Sequence, residues 1–137
     1  MPTYLIQGFF FRNGERGAFA HLPQNDAIAL RTGILRYLYS GVIFPDLNNL
    51  STLLVGELED NYDIADLSEI TVTEDAIRFV KTYRTIQDII TYQLERKDGY
   101  WEGTWTNVTR PDRIETGITR CVVTHVPDEF FVLPKQE

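Results

Sequence analysis

The chain has 137 residues, 43% of them hydrophobic and 24% charged, and a formal net charge of -7. That length gives one domain (residues 1–137) with a real core, and that composition argues against wholesale disorder. The acidic balance argues against nucleic-acid and anionic-membrane partners, which need a basic face.

The amino terminus reads as part of the fold. Its apolar stretch has no basic region before it and no small-residue cleavage pattern. No apolar run approaches the roughly 20 residues of a helical membrane span. The single cysteine, Cys121, leaves no internal disulfide, so the expected location is cytoplasmic.

In chain order, residues 4–12 (YLIQGFFFR) predict a strand that turns at Asn13-Gly14 and returns as residues 16–22. Residues 26–41 carry two readings. A helix capped by Asn25 or Asp26 and ended by Gly41 places Leu30, Ile34, Tyr37 and Leu38 on one face. A strand over 34–39 is the competing reading, and the helix near 26–40 is favoured.

Residues 53–60 (LLVGELED) predict the next strand. Residues 70–73 and 76–84 predict a hairpin across Glu74-Asp75. Residues 89–97 turn at Asp98-Gly99 into residues 100–106, a turn for which Asp-Gly supplies positive backbone angles. Residues 117–126 close the series. The fold class expected is all-β: an antiparallel meander of about eight strands closing into a barrel, which leaves no exposed edge.

Period-two alternation assigns the faces. Phe79, Lys81 and Tyr83 share one face of their strand with Ile77. Tyr92 shares a face with Ile90 and Leu94, and Trp101, Gly103 and Trp105 share a third. The aromatic members of these sets are expected inside, with Gly103 giving local room. Two readings remain for them: core filling, or the wall of a ligand cavity. Lys81 stands on an apolar face, where an unpaired ammonium is costly. It either binds an anionic group or snorkels to water.

Residues 103–107 (GTWTN) resemble the Gly-x-Trp-Thr-Asn signature of avidin-like barrels. More loosely, they resemble the Gly-x-Trp of lipocalins, within the wider calycin group. The resemblance implies an up-and-down barrel with a small ligand at one open end. It carries over to Gly103 and Trp105 as structural or pocket-lining residues. Biotin binding is not carried over, because this motif stands near the end of the chain.

Charge is segregated. Nine carboxylates and no lysine or arginine lie between Tyr37 and Ile77, and eight basic residues lie between Arg78 and Arg120. The two blocks are expected to face each other across strands. Asp60, Asp63 and Asp66 recur at a spacing that does not match an EF-hand loop. Cys121 and His125 share a strand face roughly 13 Å apart, too far to share one metal or to form a nucleophile pair. Asn107-Val108-Thr109 is a glycosylation sequon, inert in the cytoplasm. No linear catalytic motif is present, and no metal or cofactor is expected.

Three functions follow as expectations. The first is a small-molecule barrel for an apolar or anionic ligand, using Phe79, Lys81, Tyr83, Tyr92, Trp101, Gly103 and Trp105. The second is an interaction module docking a protein through the acidic 57–75 segment. The third is an enzyme with a carboxylate in its lumen, for which Glu102 is the nearest candidate although it alternates away from the tryptophans.

Overall fold

Alternation is visible wherever the chain forms strand. In residues Ala76–Tyr83, buried Ile77, Phe79, Lys81 and Tyr83 alternate with Arg78, Val80 and Thr82, which face outward. The structure, a computed structural model, describes residues 3–12, 37–46 and 53–127. It contains eight strands: β1 (Thr3–Arg12), β2 (Leu38–Pro45), β3 (Leu54–Asp60), β4 (Ile64–Val72), β5 (Ala76–Tyr83), β6 (Ile89–Arg96), β7 (Trp101–Asn107) and β8 (Glu115–Val126). Each pairs antiparallel with its neighbour in sequence, and β8 pairs with β1 along the whole of β1. The barrel is closed, so no described strand presents an unpaired edge. Among the described residues, no helix is long and apolar enough to cross a membrane.

Eight strands close the barrel among the described residues, seven of them at expected strands. The second strand is Leu38–Pro45, and β1 pairs with it from Tyr4↔Ile43 to Phe9↔Leu38. Residues 38–41, expected at the end of a helix, are therefore strand. Pairing with both β1 and β3 makes strand of these residues. Residues 26–36 of that segment, and the expected return strand at 16–22, lie outside the described residues. The expected short strand at 70–73 is the end of a longer one, β4. There Glu69 and Ile70 oppose the single residue Phe79, and Glu69 takes a φ of 49°. This bulge bends β4 at the barrel wall.

Two of the three expected hairpin turns form, and the third, at Asn13-Gly14, lies outside the described residues. Thr73 and Ala76 exchange hydrogen bonds around Glu74-Asp75, and Lys97 N–H donates to the Tyr100 carbonyl at 2.8 Å around Asp98-Gly99. In the second turn only Gly99 has a positive φ, +83°, and Asp98 does not share it.

The inward side chains form one core. It includes Ile6, Phe10, Tyr39, Ile43, Leu58, Leu67, Ile77, Phe79, Tyr92, Leu94 and Trp105. Phe79 stacks on Tyr92 at 4.8 Å, and Phe10 meets Trp105 edge-on at 6.0 Å. Each such ring contributes on the order of 1.5–3 kcal/mol through burial. In an up-and-down barrel the odd strands all run toward one end. Arg12, Asp60, Tyr83 and Asn107 therefore mark one mouth, together with the first residues of the even strands.

Gly103 does not open room in the lumen, as its alternation suggested. A side chain there would run into the Gln93 carbonyl of β6. The glycine that makes room for an indole is Gly117, paired with Trp105 across β7 and β8. A Cβ at Gly117 would lie 2.4 Å from the Trp105 Nε1 and 1.9 Å from the Phe11 carbonyl oxygen. These two atoms are the donor and acceptor of a 2.9 Å hydrogen bond. Gly117→Ala is expected to break that bond and cost about 2–3 kcal/mol. Urea unfolding and a red shift of tryptophan emission check it; an unchanged midpoint would show that the indole is not held there.

Candidate functional site

The mouth defined by the odd strand ends is built around Lys81. In β5 it lies between Phe79 and Tyr83 on the inward face, and its side chain has 0% exposure. An ammonium sealed from water needs a counter-charge and an acceptor for each proton. It has both. The Lys81 Nζ donates to Asp60 Oδ2 at 3.0 Å, to the Tyr83 hydroxyl at 2.9 Å and to the Tyr92 hydroxyl at 3.3 Å. It also lies 4.5 Å from the ring centre of Tyr83 and 5.1 Å from that of Tyr92. The two alternatives left for Lys81 are thus resolved. It does not snorkel to water, and the anion it binds is the protein's own.

Asp60 is placed by the same alternation that buries Gly56 and Leu58 in β3. Its carboxylate, 0% exposed, has two tasks. Oδ1 accepts from the Tyr62 and Asp63 N–H groups, which closes the β3–β4 turn. Oδ2 accepts from Lys81 and, at 2.5 Å, from the Tyr83 hydroxyl. The lumen carboxylate is therefore Asp60. Glu102 alternates outward, as expected, and lies 3.6 Å from Arg120 on the outer surface.

The electrostatics follow from burial. Desolvation lowers the Lys81 pKa, opposed by the charge of Asp60. Desolvation raises Tyr83 and Tyr92 well above the usual phenol range, reinforced by the Asp60 charge and, for Tyr83, by its hydrogen bond to Asp60. The network is the Lys81–Asp60 ion pair with two neutral phenols. Tyr92 accepts from Lys81, and its own hydroxyl proton has no acceptor among the described residues.

Above this floor a pocket of about 140 Å³ opens at the mouth. Phe10, Tyr62, Ile86, Ile90 and Trp105 form its apolar wall, and Asp88, Asn107 and Glu115 stand at its polar side. Lys81, Tyr83 and Tyr92 form the floor. Comparison of the chain with protein-family models, with curated proteins and with solved structures returned no match.

Of the seven residues expected to line a site, the pocket brings together Lys81, Tyr83, Tyr92 and Trp105. Phe79 lies behind Tyr92 in the core, and Gly103 packs on β6. Trp101 is only partly buried and packs against the core beside the β6–β7 turn. It shares a face with Trp105, but four residues of strand separate them by about 13 Å, so the two indoles serve opposite ends.

The remaining chemistry resolves into separate contacts. Asp63 accepts from the Thr85 N–H and hydroxyl, which lowers its pKa, while Asp66 and Glu57 both pair with Arg84. Asp60, Asp63 and Asp66 thus serve three different partners. No cluster of three or more potential metal ligands occurs among the described residues. The Arg84 pairs bear out the expectation that the acidic and basic blocks meet across strands. Cys121 is buried and His125 exposed, and Cys121 approaches Tyr39 rather than His125. Burial pushes the Cys121 thiol up to about 11.

Proposed function

We propose that the protein is a binding barrel for a small ligand with an aromatic or compact apolar group. One observation carries this reading: the lumen mouth holds an apolar pocket of about 140 Å³ whose floor offers a hydroxyl proton, that of Tyr92, with no acceptor among the described residues. An apolar pocket of about 150 Å³ takes up benzene, so a phenyl-sized group matches this one. A concave apolar wall with a few polar groups is the general form of a small-molecule site.

The up-and-down topology and the Gly-x-Trp strand support a calycin-like relationship at the level of architecture. A cytoplasmic location belongs to the same reading. Lys81 is not the docking point for an anionic ligand, because Asp60 already neutralises it. The catalytic alternative is weaker, since Asp60 is committed to four donors. The docking alternative loses part of its acidic face to Arg84.

Titration with ethylbenzene, followed by tryptophan emission, tests the proposal. A saturable change is expected in the wild type and in Trp101→Phe, and its loss is expected in Trp105→Phe. A response that survives in Trp105→Phe and disappears in Trp101→Phe would put binding at the other end and sink the reading.

A further inference from the structure

The pocket does not end at its polar side. Asp88, Asn107 and Glu115 also line a second, polar space of about 240 Å³, completed by Thr109, Arg110 and Arg113 of the β7–β8 connection. The two spaces share those three residues, so the apolar pocket and the polar space lie against each other.

The outer half is firmly built. Val108 N–H donates to the Ile89 carbonyl at 3.0 Å, and Ile89 N–H donates to the Thr109 hydroxyl at 2.7 Å, which ties the connection to β6. Thr109 N–H and hydroxyl both donate to Asn107 Oδ1. Arg113 N–H donates to the Arg110 carbonyl across Pro111-Asp112, a β-turn with proline where its fixed φ suits. That turn sets Arg110 and Arg113 at its two ends.

Around the polar space stand two guanidiniums and two carboxylates, and the charge of Asp88 also acts on Lys81 at the pocket floor. None of Arg110, Arg113, Asp88 and Glu115 has an ion pair among the described residues. The cations come from the anchored turn, and the carboxylates come from the β5–β6 connection and the start of β8. An anionic ligand would meet Asp88 and Glu115, and a cationic ligand would meet the arginines. A ligand carrying both charges satisfies both sets with charge-assisted hydrogen bonds.

Resting on the binding-barrel reading, we infer that the ligand is a small zwitterion of the α-amino acid type with an aromatic side chain. The aromatic group enters the pocket beside Trp105. The carboxylate lies on Arg110 and Arg113, and the ammonium on Asp88 and Glu115.

The test compares four probes that share one phenethyl skeleton: ethylbenzene, phenethylamine, hydrocinnamate and phenylalanine. Each is titrated into the full chain at neutral pH. Phenylalanine is expected to bind about tenfold tighter than either singly charged probe. The Arg110→Gln/Arg113→Gln variant should lower phenylalanine affinity to that of phenethylamine and leave ethylbenzene unchanged. Asp88→Asn/Glu115→Gln should lower it to that of hydrocinnamate. If ethylbenzene binds as tightly as phenylalanine, the zwitterion is wrong and the barrel reading stands. If none of the four binds to the folded protein, both readings fall.

Discussion

Asp60→Ala, with Lys81 left in place, will lower the unfolding free energy by about 3–5 kcal/mol. The size comes from what remains behind. Lys81 has 0% side-chain exposure, so the variant leaves an ammonium in the lumen with only two phenol oxygens as acceptors. The β3–β4 turn also loses the oxygen that accepts from Tyr62 and Asp63. Lys81→Met should cost a similar amount by the converse route, since it strands the carboxylate with Tyr83. The double variant Asp60→Ala/Lys81→Met removes both charges and should recover part of the loss, because a buried pair only roughly balances its own desolvation. Urea unfolding of the four proteins at neutral pH gives the coupling energy directly. Single variants that each cost under about 1 kcal/mol would mean that water reaches this network and that the pocket floor is not sealed.

The same pair shows how far the site was legible in the sequence. Alternation alone puts Lys81 on the inward face with Phe79 and Tyr83, and it also puts Asp60 in phase with Leu58. What alternation does not reveal is stagger. Asp60 ends β3 and meets Lys81 across β4, a contact set by the registers Glu57↔Asp66 and Leu67↔Lys81. Pairing registers belong to the closed barrel and not to any single strand. The tryptophans make the point in reverse. Their shared parity correctly suggested one face but hid that they lie at different heights. The mouth residues Tyr62, Asp88 and Glu115 carry no periodic signal, since they stand in or beside connections. They become a group only once all odd strands are known to end together. The second strand was missed for a related reason: its residues satisfy helical and strand periods alike, and only pairing partners far along the chain decide between them.

At alkaline pH the sealed lumen has a second consequence. Tyr39, Tyr83 and Tyr92 have their pKa values raised above the ordinary 10.0, chiefly by desolvation. A phenol that stays protonated when folded, but ionises when unfolded, stabilises the fold fully below the unfolded pKa. That contribution is lost as pH rises above it. Three such groups give a slope of about 4 kcal/mol per pH unit above pH 10. Cys121 acts in the same direction but earlier. Burial moves its thiol from 9.0 to about 11, so about 3 kcal/mol is lost over that window. Lys81 opposes this. Its folded pKa is lowered from 10.5, so the unfolded chain binds more protons there, and stability rises with pH up to 10.5. The Lys81 effect opposes the Cys121 loss, and the tyrosines dominate above pH 10. Stability should therefore fall most steeply above pH 10. Cys121→Ala should remove the early loss, so that stability rises with pH before the tyrosine-driven fall. Urea midpoints measured across this range, together with tyrosinate absorbance, check the assignment. Tyr39, Tyr83 and Tyr92 should ionise in the same step that unfolds the barrel. A gradual titration of all the tyrosines around pH 10, with tryptophan emission unchanged, would mean that solvent enters the lumen freely, and the sealed network around Lys81 would fall with it.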